Sequence, residues 1–404
     1  MLPLHGVRVI DFTHFIAGPS CTMWLASLGA EVIKIESPIR PDASRLSQLR
    51  AESAPTLNNS PMFVTTNLMK RSCCIDIAQP EGRQLCHQLI ARSDVVVANF
   101  RPGVLEQFEM DYASLRSVNP SIILATITGY GYTGDYAAFQ ALGPNIHAFS
   151  GLSATTGYPG GPPEQLFGTY ADVVSGQVAV LSILAALRHR VATGEGQFID
   201  TAMSEALIAV APEASLRAAL GLELEDRRGN RESGVAPHGC YPCRDNDRWI
   251  AIAAFDDRDW EQLTEVLGLE QLRKDPRFAS VAARVAHQDD LDALVGEATR
   301  AWSADELATR LQVAGLAAAP VRTAQDVFAD EQLLGDGFIG AVVQSELAEA
   351  RLPKMPWRLT VGDASIRPIG PAPDFGEDTR EILQDLLAVT DDEWDALLAR
   401  KIVA

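Results

Sequence analysis

Short, uninterrupted apolar runs separated by amphipathic stretches organise the first third of this chain. Val7–Asp11, Glu31–Glu36, Asp94–Ala98 and Ser121–Thr128 read as buried strands, with Pro19–Gly29, Pro80–Ser93 and Tyr112–Val118 as helices among them. A proline near the start and a glycine at the end mark the first of these helices. Strands that are apolar on both faces and alternate with helices predict a mostly parallel sheet covered on both sides, an α/β architecture. No G-x-G-x-x-G follows the first strand, so the sheet is Rossmann-like without the dinucleotide fingerprint. The longest clear helix is predicted over 171–190, and Gln197–Met203 returns as a strand.

Beyond Leu220 the texture changes. Residues 223–239 are polar and glycine-bearing and read as a linker or an active-site loop. Residues 240–325 read as a small α+β unit, with strands at Trp249–Ala253 and Ala317–Val321 and several helices between Asp256 and Gly315. From about 326 a helix, an extended stretch and two amphipathic helices, Asp378–Leu387 and Asp391–Ile402, close the chain.

Composition narrows the function classes. The net charge of −19 leaves no surplus of Lys and Arg for a nucleic-acid backbone, so an anionic ligand needs a local basic cluster. No apolar run reaches the ~18 residues of a membrane span, and Met1–His5 lacks a signal-peptide pattern. The six scattered cysteines are expected to be reduced, as in the cytoplasm. Cys240 and Cys243 stand at metal or redox spacing, but no second pair accompanies them, so they read as structural.

The chemistry-bearing segment is Gly168-Thr-Tyr-Ala-Asp172-Val-Val-Ser-Gly176, which opens the long helix. An acid in a first turn is a common helix cap, and the helix N-terminus favours its charged form. A positioned, ionised carboxylate is also a covalent nucleophile. Basic residues near the predicted sheet-edge turns, candidates for phosphate contacts, are Arg40, Arg45, Lys70, Arg71 and Arg101.

Several ordered motifs carry a resemblance. Leu4–Asp11 through Ala17-Gly18-Pro19, Leu28–Glu36, Asn99-Phe100-Arg101-Pro102-Gly103, Gly129-Tyr130-Gly131, Ala154–Gly157, Gly161-Pro162-Pro163 and the Asp172 segment through Thr193–Gln197 span most of residues 4–205. The set resembles the class III CoA-transferases, a family that includes formyl-CoA transferase and α-methylacyl-CoA racemase.

The resemblance implies a large Rossmann-like domain formed by both chain ends (1–225 and 326–404), with a small α+β domain inserted at 226–325. It also implies an interlocked homodimer. It casts Asp172 as the nucleophile that carries CoA between an acyl-CoA and a small or medium carboxylic acid, with no tightly bound cofactor and no metal. CoA and substrate contacts fall on His14, Phe15, Ile16, Ala17, Arg40, Lys70, Arg71, Asn99, Phe100, Arg101 and Tyr130.

Departures steer the substrate. Ile16 and Thr128 replace polar and basic residues of the formyl enzyme, which argues against a formyl or oxalyl substrate. Leu142 stands where racemase members carry a catalytic His, and His147 nearby reads as a packed or hydrogen-bonded helix residue. An acyl-CoA racemase or isomerase is therefore the alternative activity, and a non-catalytic CoA-binding subunit the alternative class.

Overall fold

A computed structural model describes residues 1–47, 56–222, 227–361, 364–366 and 368–404. The chain divides into two compact units. The first comprises Met1–Ser153, Gln165–Glu223 and Glu331–Ala404, and the second Ala154–Glu164 and Leu224–Asp330. The boundary expected at 225/226 lies outside the described residues.

Six strands build the central sheet of the first unit: β1 (Arg8–Asp11), β2 (Glu31–Glu36), β3 (Arg71–Cys74), β4 (Val95–Ala98), β5 (Ile123–Thr128) and β6 (Phe198–Ala202). Their order is β3-β2-β1-β4-β5-β6, and every pairing is parallel. The continuous apolar runs are explained by this placement. Each of the four residues of β4 is buried, and alternate side chains serve opposite faces. Val95 and Val97 join one core cluster with Val9, Leu25 and Ile183, while Val96 joins the other with Ile10, Leu124 and Leu89. Each such aliphatic side chain contributes roughly 1.5–3 kcal/mol by leaving water.

Helix α1 (Ala17–Ser27) covers the first face. Helices α2 (Pro80–Ile90) and α3 (Tyr112–Val118) cover the other. Next come a short helix, α4 (Gly143–Phe149), and the long α5 (Tyr170–Thr193), which packs on α1. Mean hydropathy over an 18-residue window of α5 is 1.6, so by length and composition it passes as a bilayer span, contrary to the reading of the bare sequence. Buried residues make up 44% of that window, led by Ala179 and Ile183 against the sheet.

The second unit holds three antiparallel strands, β7 (His238–Pro242), β8 (Trp249–Ala253) and β9 (Ala317–Pro320), in that order. Helices α6 (Asp257–Leu267), α7 (Gln288–Thr299) and α8 (Ala304–Val313) close its core around Trp260, Leu263, Leu291 and Leu307. Cys240 lies on β7, and Cys243 is buried in this core.

The C-terminal segment returns to the first unit. The stretch expected to be merely extended contains a hairpin, β10 (Ile339–Gln344) with β11 (Ala348–Pro353). Helices α9 (Thr379–Leu387) and α10 (Asp391–Ala399) then bury Ile382, Leu383 and Trp394 in the second face of the sheet. Beyond them Val403 bridges Ile75, just past β3.

Candidate active site

Each parallel strand presents its carboxyl end to one edge of the sheet, where open α/β folds place ligands. The β1–α1 connection, His14-Phe15-Ile16, turns over this edge. Phe15 has φ +66°, an uncommon conformation for a bulky residue that persists only where its surroundings over-determine it. Asn99, just past β4, clamps the neighbouring residue: its Oδ1 accepts from the His14 amide and its Nδ2 donates to the His14 carbonyl, both at 2.8 Å. The Phe15 amide donates to Asp42 Oδ1 at 3.0 Å.

Beneath this turn lies a buried charge network. Lys34 pairs with Asp42 at 3.0 Å and donates to the Thr13 carbonyl at 2.5 Å. Burial opposes the charge on Asp42, but Lys34 and two backbone donors outweigh it and hold its carboxyl below the usual range. Arg45 is buried against Glu36 at 2.8 Å and stacks over the Phe63 ring.

Asp172 is the third residue of α5. Thr169 occupies the cap position, and no side chain caps the helix, so the capping reading of Asp172 does not hold. Nor does the helix terminus keep its carboxyl at an ordinary acidity. Burial raises its pKa to about 6, with only a hydrogen bond from its own amide working the other way. The group remains mostly ionised at neutral pH while losing much of its hydration, which favours nucleophilic attack.

Two glycines make this placement possible. A Cβ on Gly176 would stand 2.7 Å from the Ala17 carbonyl oxygen, so its absence lets the second turn of α5 lie against the first turn of α1. A Cβ on Gly143 would stand 2.7 Å from Asp172 Oδ2 and closer still to the Gly168 carbonyl. Gly143→Ala is therefore expected to displace the carboxylate and lower activity on the order of 10²-fold, as a misplacement of about 1 Å does. Steady-state rates combined with thermal unfolding separate this effect from loss of fold.

Asp172 opens into a cavity of about 560 Å³ whose lining includes His14, Phe15, Ile16, Ala17, Asn99, Phe100 and Arg101. A second cavity, of about 630 Å³, shares His14, Phe100 and Val104 with the first and adds Arg40. The His14 and Phe100 rings meet edge to face at 5.2 Å in the shared wall. Burial holds the His14 imidazole below its usual pKa, so it presents a neutral ring. Arg40 and Arg101 are exposed, and their guanidinium groups form no ion pair among the described residues.

Three predicted residues stand elsewhere. Lys70 is buried and donates to Asp11 Oδ2 (3.0 Å), the Pro19 carbonyl (3.0 Å) and Asn67 Oδ1 (2.7 Å). An ammonium has three N–H donors, so none is left for a phosphate. Arg71 lines neither cavity and is held by Glu31, Asp378 and Glu381. Tyr130 packs beside the cavity without lining it, and its hydroxyl accepts from Asn145 Nδ2 at 3.1 Å. His147 is packed as expected, 5.7 Å from the Tyr170 ring, but neither of its ring nitrogens is hydrogen-bonded.

Sequence reasoning missed Gly143, Lys34 and Asp42. A signal for Lys34 existed: a lysine inside a strand read as buried demands a carboxylate partner.

The comparisons with known proteins agree with this geometry. The family model for CoA-transferase family III matches residues 4–379. The chain is 33% identical to succinyl-CoA–D-citramalate CoA-transferase of Chloroflexus aurantiacus, over 99% of this chain and 98% of that protein. It is 32% identical to succinate–glutarate CoA-transferase of Agrobacterium fabrum, over 95% of this chain and 96% of that one. A crystal structure of a CaiB/BaiF family protein from Brucella suis superposes with a TM-score of 0.86 at 33% identity, covering 95% of this chain and 99% of that one. By sequence and fold, this chain belongs to CoA-transferase family III.

Proposed function

We propose that the protein transfers CoA from an acyl-CoA thioester to a carboxylic acid, with Asp172 as the covalent relay. The observation that carries this reading is the Asp172 carboxylate itself, desolvated yet ionisable near pH 6, facing a cavity lined by the β1–α1 turn. One Asp172 oxygen attacks the thioester carbonyl carbon. The C–O bond forms, the C–S bond breaks, and CoA thiolate leaves an aspartyl anhydride. The thiolate then attacks the aspartyl carbonyl and expels the donor acid, giving an aspartyl-CoA thioester. The incoming carboxylate repeats the sequence in reverse. No net proton is exchanged and no tightly bound cofactor takes part. Splitting one exchange between poor partners into four displacements is the advantage of covalent catalysis.

The two cavities that adjoin across His14 and Phe100 give CoA an extended seat. Arg101 and Arg40 are placed for its phosphates, Phe100 and the neutral His14 ring flank its pantetheine arm, and Phe15, Ile16 and Ala17 lead to the thioester. A second copy of the chain is proposed to cover the exposed apolar face of α5, where Leu181 and Val191 are 69% and 79% exposed. Apolar exposure on one face of a long helix is a mark of an interaction surface, and an interlocked homodimer meets that need. Six free cysteines accord with a cytoplasmic setting.

The pH dependence tests the relay. Only the ionised carboxylate attacks, so kcat/KM for the acyl-CoA is expected to rise tenfold per pH unit up to about 6 and then level off. A profile flat down to pH 4.5 in the wild-type protein contradicts a nucleophile with this environment.

A further inference from the structure

The wall of the Asp172 cavity changes character along its length. His14 and Phe100 line both this cavity and the second one, and Arg101, next to Phe100, lines this one. The stretch leading to Gly143, which abuts the carboxylate, supplies Phe139, Ala141 and Leu142 together with the neutral amide of Gln140, with Ile127, Thr128 and Met203 alongside. Among the described lining residues of this inner part there is no cation.

Phe139 and Leu142 are also unusually exposed for apolar residues, at 54% and 61%. Phe139 belongs to a continuous group of four rings. Its centroid lies 5.2 Å from that of Tyr136, Tyr136 lies 5.7 Å from Phe149, and Phe149 lies 5.1 Å from Tyr130 in an edge-to-face contact. Tyr136 and Phe149 are about half exposed; of the four rings Phe139 lines the Asp172 cavity, and the other three pack in contact with it or with one another. The neighbouring Thr128 hydroxyl is buried without a hydrogen-bond partner; it is free to donate to a bound acid but carries no charge.

We propose that Phe139 and Leu142, with Ile127 and Met203 alongside, form the subsite for the body of the acid substrate. The acid is then a monocarboxylate carrying an aryl or branched apolar body, not a short dicarboxylate of the kind in the relatives' names. The inference rests on the transferase reading. With the reacting carboxyl at Asp172, the rest of the acid lies against Leu142 and Phe139. There an aryl body gains burial and edge-to-face ring contacts. A second carboxylate in that place gives up water with no cation to replace it.

The test uses the full chain with butyryl-CoA and succinyl-CoA as donors, and 3-phenylpropanoate and succinate as competing acceptors. Product thioesters are quantified by chromatography. We expect kcat/KM for 3-phenylpropanoate to exceed that for succinate by at least about tenfold. Phe139→Ala is expected to raise KM for 3-phenylpropanoate severalfold without shifting thermal unfolding, since the ring is half exposed. Leu142→Arg, which supplies the missing cation, is expected to turn the preference toward succinate. Wild-type transfer to succinate as efficient as to 3-phenylpropanoate overturns the subsite and leaves the transferase standing. No transfer from either donor to either acid overturns both.

Discussion

Replacing Asp172 with alanine is expected to lower CoA transfer on the order of 10⁴-fold or more, because no other carboxylate stands among the described lining residues of its cavity to form the anhydride. Acyl-CoA binding is expected to survive, since the proposed CoA seat lies along the β1–α1 turn and Asn99, Phe100, Arg101 and Arg40. Equilibrium binding and single-turnover transfer, measured on the same preparation, separate the two. Asp172→Asn is expected to be equally inactive and more stable than wild type. The folded carboxyl has a pKa of about 6 against an ordinary 3.8, so the unfolded chain gives up that proton more readily. Stability associated with this group is complete below about pH 3.8 and is lost as pH rises through 6. Removing the charge is expected to recover about 1–3 kcal/mol at neutral pH, seen as a higher unfolding midpoint. A stability cost at the reacting group is a common trade against function.

The second large effect is expected at Lys70, and it is one of stability. Lys70→Met leaves Asp11 buried without its ammonium partner, although Thr13 and Thr22 still donate to it. Breaking a buried pair from one side costs about 3–5 kcal/mol. The remaining hydroxyl donors place the loss toward the lower end. Denaturant unfolding should show it directly. Below the unfolding transition, KM for the acyl-CoA is expected to stay within a factor of about three. A phosphate-binding lysine would behave in the opposite way, raising KM steeply and leaving the unfolding midpoint alone.

The contrast between these two residues shows which parts of the molecule are legible in a sequence. The parallel sheet was readable because β4 and β5 are apolar on both faces, a pattern that few other environments permit. Asp172 was readable because a spaced motif surrounded it, and Gly176 in that motif has a visible task in bringing α1 and α5 together. Lys70 was misread because a basic residue near a sheet-edge turn is usually exposed, and its sequence does not reveal a carboxylate 59 positions away. For Lys34 the need for a carboxylate partner was visible in its buried strand, but the choice of Asp42 is set by the loop that follows β2. Gly143 is silent for a different cause. Its importance lies in the approach of Asp172 Oδ2 from another helix, and no local pattern records that approach. The hairpin Ile339–Pro353 was read only as extended because Gly, Ala and Glu dilute its alternation.

The clamp on the β1–α1 turn joins scaffold to chemistry. Asn99 and Asp42 hold His14 and Phe15 by their backbones, leaving both side chains free to line the cavity. A rigid turn of this kind pre-organises a ligand seat at no ordering cost during binding.

The most direct measurement is mass spectrometry of the protein quenched during turnover with an acyl-CoA, followed by peptide mapping. The prediction is a CoA or acyl adduct confined to the peptide that contains Asp172. It should convert to a hydroxamate with hydroxylamine and be absent from Asp172→Asn. Sustained CoA transfer with that peptide unmodified, or with the adduct on another peptide, would contradict Asp172 as the covalent relay.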